Sequence, residues 1–132
     1  MFNELETLYT YTREQALEDG FLIDVTKTAK EAGLRYPVAV TSAVWEKYIA
    51  WEDEDTQRQT HQDSEGRLWD VLFMLKNAIN RLVGATTEIH YELYVVPRDG
   101  KARKPKKTAL KSLCHPGDSG EPVITIMEPD ED

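Results

Sequence analysis

The sequence lacks a second cysteine. Cys114 stands alone among 132 residues, so no intramolecular disulfide forms and the cross-linked framework of small secreted domains is excluded. Any apolar run of membrane-spanning length is missing too. Met1 to Glu6 carries acids where a secretory leader needs a basic start and an apolar stretch, so the expected compartment is the cytoplasm. There is no internal repeat, and no pair of ligands falls at Cys-x-x-Cys or His-x-x-x-His spacing. Positive charge is also scarce: 16 Lys and Arg stand against 24 Asp and Glu, for a net charge of −8.

What the chain does have is a core. Three Trp, six Tyr and three Phe within a 40% apolar composition suffice for one compact domain over residues 1–132, long enough to bury most of its apolar surface without staples. The scarce bases are concentrated between residues 98 and 107. Arg98, Lys101, Arg103, Lys104, Lys106 and Lys107 face the single acid Asp99, a local net charge of +5 that leaves −13 on the remainder. The chain is thus dipolar, with its positive pole in a loop between two strands.

Thr12 with Gln15 has the pattern of a capping box and opens a short helix that Gly20 ends. Phe21 to Val25 reads as a buried strand. Thr26 is a candidate cap for a second short helix closed by Gly33, and Pro37 biases Tyr36 toward extended backbone. From Ser42 to Trp51, Val44, Trp45, Tyr48, Ile49 and Trp51 recur at helical spacing. The polar stretch from Glu52 to Gly66 lacks periodicity and reads as a surface loop, mobile or partly helical. A long helix is predicted from about Ser64 to Val83, with Leu68, Val71, Leu72, Leu75, Ala78, Ile79 and Leu82 on one face. Trp69 and Phe73 extend that face sideways and Met74 lies on its far flank, an apolar arc wider than one sheet requires. Thr87 to Val96 alternates with period two, as an antiparallel strand does. Further strands are predicted at Thr108 to Cys114 and Pro122 to Met127, and Glu128 to Asp132 as an acidic, frayed tail.

Several motifs have simple structural explanations. Gly117-Asp118-Ser119-Gly120-Glu121-Pro122 resembles the nucleophile segment of trypsin-like serine proteases. The chain is about half the length such a double barrel needs, a base His segment is missing, and Glu121 replaces a glycine, so turn chemistry accounts for it. Cys114 and His115 are adjacent on a strand and point to opposite faces, which argues against a shared metal ion, with or without His90. Glu52 to Asp55 lacks the spacing of a calcium loop. Trp45, Trp51 and Trp69 sit at core-periodic positions instead of forming a base-stacking platform. Tyr91 and Tyr94 lie on opposite faces of one strand, so one joins the core and the other stays outside.

The stretch from Tyr9 through Tyr11-Thr12-Arg13-Glu14-Gln15-Ala16-Leu17 to Thr26, the stretch Ala32-Gly33-Leu34-Arg35-Tyr36-Pro37-Val38-Ala39-Val40-Thr41 with Val44-Trp45, and Gly66-Arg67-Leu68-Trp69-Asp70-Val71-Leu72 follow in order. Together they resemble a family of small uncharacterised bacterial proteins, a domain of unknown function with members carried on plasmids and phages. The resemblance implies a cytosolic accessory protein and transfers no catalytic residue. Within these motifs Asp24, Arg35, Arg67 and Asp70 have no core or turn explanation. A charge in an apolar segment needs solvent or a partner, so Asp24 with Arg35 or Arg67 is the candidate buried ion pair.

These readings predict an α+β domain: an antiparallel sheet of three to four strands, mostly from the C-terminal half plus Phe21 to Val25, packed on two main helices. The expected function is non-catalytic, with no catalytic, metal or cofactor-binding residues assigned. The expected partner is a protein or a second copy, met through Trp69, Phe73 and Met74. The alternative is a phosphate or nucleic-acid contact through Lys101, Arg103, Lys104, Lys106 and Lys107, and a third reading is an acidic decoy of a DNA-binding enzyme.

Overall fold

The computed structural model describes residues 11–131. The acids of Met1 to Glu6, Tyr9 and Thr10 of the first motif, and the final Asp132 lie outside the described residues. Helix α1 (Arg13–Glu18) begins at the expected capping box: Thr12 Oγ1 accepts from the Gln15 amide at 3.0 Å, and Gln15 Oε1 accepts from the Thr12 amide at 3.2 Å. Strand β1 (Leu22–Asp24) leads into α2 (Thr26–Glu31). Thr26 starts this helix and does not cap it. Its amide donates to Asp24 Oδ1 at 3.0 Å, while its hydroxyl accepts from the Val38 amide at 3.1 Å and ties the helix to the next strand. Gly33, at φ +93°, makes the left-handed turn that sends the chain into β2 (Val38–Thr41).

The predicted helix from Ser42 to Trp51 is not regular. Three α-helical residues, α3 (Ser42–Val44), pass into a π-helical turn at Trp45–Ile49, closed by the Ala50 amide on the Trp45 carbonyl at 2.7 Å. The stretch read as loop or partly helical does hold a short helix, α4 (Asp53–Arg58), whose acids occupy the first turn and complement its dipole. The long helix α5 (Ser64–Asn80) is capped by Asp63 on the Gly66 amide at 2.6 Å. It stops short of the predicted Val83.

Strands β3 (Glu88–Val95), β4 (Lys106–Pro116) and β5 (Pro122–Met127) complete a five-stranded sheet of order β1-β2-β5-β4-β3. This corrects the expectation of three to four antiparallel strands. The sheet is mixed, because β2 pairs parallel with β5 in the register Val38 with Ile124 and Val40 with Ile126. The segment Phe21 to Val25 does join the sheet, through β1 at the edge opposite β3. The central strands explain themselves physically. Val38, Ala39 and Val40, and Val123 through Met127, are buried at successive positions, as strands covered on both faces are.

One face of the sheet carries Ile89, Tyr91, Leu93 and Val95 of β3, which share a core with Val38, Val40, Leu110, Ile124 and Ile126 and with Leu68, Val71, Leu72 and Leu75 of α5. Burying side chains of this size contributes about 1.5–3 kcal/mol each. The Tyr91 hydroxyl donates to the Val71 carbonyl at 3.1 Å and fixes β3 beneath α5. Glu128 to Glu131, expected to fray, is tied down instead. Glu128 accepts from Lys47 and Tyr48, and Glu131 accepts from Thr41 Oγ1 at 2.8 Å. Among the described residues no helix is long and apolar enough to cross a membrane.

Candidate functional site

Helix α5 lies over the sheet beside β3, and β3 is an edge strand with no described strand on its outer side. The apolar arc of α5 runs past what the sheet covers. Trp69 and Phe73 are 38% and 44% exposed, one turn apart, with ring centroids at 6.0 Å and planes inclined by 16°. Two large apolar rings held together in water form a patch that other surfaces are drawn to. Met74, half-buried, packs against the core and leads from these rings into an open groove of about 770 Å³ between α5 and β3. Asp70, Phe73 and Met74 border the groove from the helix, and Tyr91, Glu92 and Tyr94 border it from the strand. Burial pushes the Asp70 carboxyl up from its ordinary value, and Arg67 opposes the shift.

The residues offered as an ion pair are not brought together. Asp24 is exposed and turned onto Thr26, Arg35 is exposed, and Arg67 is buried without an acid. The Arg67 head donates to the carbonyls of Ile49 at 3.1 Å, Lys47 at 3.3 Å and Val96 at 2.9 Å, and to Gln62 Oε1 at 2.7 Å. It also lies 4.5 Å from the Trp51 ring centroid. Carbonyls at the end of the π-helical turn thus replace the expected carboxylate, since the C-terminal end of a helix turn is electronegative. Burial brings the Arg67 pKa down to about 10, with repulsion from Arg98 adding to the shift; at neutral pH the group is charged.

The basic loop has its base strapped to the acidic helix α4. Arg98 Nε donates to Asp55 Oδ2 at 2.8 Å, and its head reaches Glu46 at 3.4 Å. Buried Gln59 acts as a second clamp. Its amide nitrogen donates to the carbonyls of Pro97 at 2.7 Å and Ala102 at 2.6 Å, and its oxygen accepts from the Gly100 amide at 3.0 Å. Lys107 meets Glu92 at 3.5 Å on the surface, a pair worth little. Lys101, Arg103, Lys104 and Lys106 make no ion pair among the described residues. Tyr94 is 68% exposed on the strand that leads into the loop, and Tyr91 is in the core, as their opposite faces predicted. Nothing in the sequence pattern singled out Gln59. A polar side chain in an aperiodic stretch carries no signal of the loop it will hold.

Two aspartates anchor this loop. Burial pushes Asp55 up, but the Glu52 amide and Arg98 together hold it below its usual value of 3.8. The amides of Ala102 and Lys101 hold Asp99 below it as well. A carboxylate depressed in the folded state stabilises the fold above its unfolded pKa and loses that contribution as pH falls through the folded value. Thermal stability is therefore expected to hold down to about pH 4 and then decline. Asp55→Asn should be less stable at neutral pH and lose less on acidification; an acid profile parallel to wild type would contradict the anchoring.

The protease-like string is a turn. Asp118 accepts from the amides of Arg13 at 2.8 Å and Glu14 at 3.0 Å, capping α1 across the fold. Nearby His115 bonds through Nε2 to Thr125 Oγ1 at 2.8 Å, not to Ser119. Cys114 and His115 do face opposite ways: Cys114 packs against the helix-side core while His115 meets Thr125 on the other face. His90 is on β3, bonded to Glu88 at 2.7 Å.

The model of a family of unknown function, DUF6573, matches residues 1–132, and the chain belongs to that family. No curated protein and no solved structure matches it.

Proposed function

We propose that this DUF6573 protein is a non-catalytic accessory protein of the cytoplasm that works by binding protein, in the first place a second copy of itself, through α5 and the free edge of β3. The observation that carries this reading is the exposed Trp69–Phe73 stack beside a groove that runs to an unpaired strand edge. An edge strand offers a row of backbone donors and acceptors, and the apolar arc supplies the burial that strand pairing alone lacks.

The charges along β3 admit a second copy as the occupant. Two β3 strands placed antiparallel about Tyr91 keep both helix layers on one side of a continuous sheet. In that register His90 lies opposite the partner's Glu92, and Glu88 opposite the partner's Tyr94, so no acid faces an acid. The resemblance of the ordered motifs to proteins carried on plasmids and phages supports the accessory role on a mobile element. Sedimentation equilibrium should give twice the chain mass of 15.1 kDa at about 10–100 μM, the range a modest interface demands. A single-chain mass throughout that range would remove the self-association reading.

A second reading is favoured by Lys101, Arg103 and Lys104 on a loop whose base is held by Gln59 and Arg98, with Lys106 at the start of β4 and exposed Tyr94 close by. Such a tip suits a small phosphate contact, with one base stacked on the tyrosine. Binding of a single-stranded oligonucleotide, followed by anisotropy, should weaken about 50-fold between 50 and 200 mM salt for four phosphate contacts. It should be lost when Lys104, Lys106 and Lys107 become Gln. Insensitivity to salt and to these substitutions would end this reading.

A further inference from the structure

A second cavity opens on the helix side of the sheet, away from the Trp69–Phe73 stack. It lies between the turn at Gly33 to Tyr36, the C-terminal end of α5, and the segment entering β3, and holds about 330 Å³, within the range of small-molecule sites. Its walls are apolar: Leu34, Ile79, Ile89 and Ile124. Its charged residues are Arg35 and Lys76, and no acid lines it. In a chain where acids outnumber bases 24 to 16, a cavity bordered only by cations is a departure from the surface around it. Neither cation makes an ion pair among the described residues. Arg35, for which the sequence suggested Asp24 as partner, is instead an exposed guanidinium at this mouth.

The interior carries a further signal. Ser112 of β4, 3% exposed, also lines the cavity. A hydroxyl in that lining can donate to or accept from a ligand's polar atom. The Lys76 stem passes along Gly33, where a Cβ would stand 3.3 Å from Lys76 Cε, so the turn is shaped to let the ammonium lie along the rim.

We propose that this cavity binds a small amphipathic carboxylate, with its chain against Ile79 and Ile89 and its carboxylate at Arg35 and Lys76. A carboxylate meeting two cations at the edge of an apolar cavity gains charge-assisted hydrogen bonds while its chain leaves water. The site shares Leu82 and Ile89 with the groove beside β3, but its cations Arg35 and Lys76 lie outside that groove.

Cys114, the only cysteine, lines the same cavity and reports on its occupancy. Octanoate should slow the alkylation of Cys114 by iodoacetamide saturably, and octanol, which has the chain without the charge, should protect at least about tenfold more weakly. Arg35→Gln with Lys76→Gln should raise the octanoate Kd about tenfold or more while the far-ultraviolet circular dichroism and unfolding midpoint stay as in wild type. Arg35→Gln alone, at an exposed position, should move the Kd in the same direction. Equal protection by octanoate and octanol would overturn the anionic ligand. Alkylation unchanged by octanoate would overturn the site.

Discussion

Arg67→Met is expected to lower the free energy of unfolding by about 3–5 kcal/mol, the range for removing one partner from a buried charged network. The head of Arg67 is the common donor to the end of the π-helical turn, to the exit of β3 at Val96, and to Gln62 before α5. Methionine fills much of the volume beside Trp51 but leaves those acceptors buried and unmet, so the loss comes from orphaned carbonyls more than from packing. Arg67→Lys keeps the charge and still fails, because one ammonium cannot reproduce a planar fork aimed at four acceptors; a loss of about 2–3 kcal/mol is expected. Urea unfolding gives the values from the midpoint at unchanged slope. A change below about 1 kcal/mol for Arg67→Met would mean that these bonds hold nothing together.

Phe73→Glu should raise the dissociation constant of the self-associated form about 100-fold while leaving the isolated chain's stability nearly unchanged. The first part follows from losing an aromatic anchor and placing a charge at the centre of an apolar interface. The second follows from exposure: Phe73 is partnered by Trp69 on the surface and does not belong to the core, and surface changes of this kind are usually small. Trp69→Ala should weaken association in the same direction. Dilution series followed by sedimentation velocity measure the shift. An unchanged dissociation constant for both variants would place any interface elsewhere.

Local signals of this fold were legible in the sequence. Thr12 and Gln15 announced their capping box, the spacing of Leu68, Val71, Leu72 and Leu75 announced α5, and the alternation through β3 placed Tyr91 inward and Tyr94 outward. The parallel pairing of β2 with β5 was not legible, because the strands are separated by most of the chain and no turn marks their meeting. A trace of it exists in Val38-Ala39-Val40 and Val123-Ile124-Thr125-Ile126-Met127, runs that do not alternate because both faces are covered. The role of Arg67 was half legible. A charge with no core or turn explanation calls for a partner, and an acid, Asp24, is the one the sequence offers. The actual partners are main-chain carbonyls, which sequence displays at every residue and therefore distinguishes at none. The site followed the same division: Trp69, Phe73 and Met74 could be read from helical spacing, whereas the groove beside them needed β3 to be an edge strand, a property of the whole sheet.

Amide hydrogen exchange on β3, read at two protein concentrations, tests self-association through this edge most directly. If two chains pair through β3, alternate amides from Glu88 to Val95 become more protected as concentration rises through the dissociation constant, and those of Leu22 to Asp24 at the opposite edge do not change. Exchange in β3 that is the same at both concentrations, in a sample whose mass has doubled, would contradict pairing through this edge.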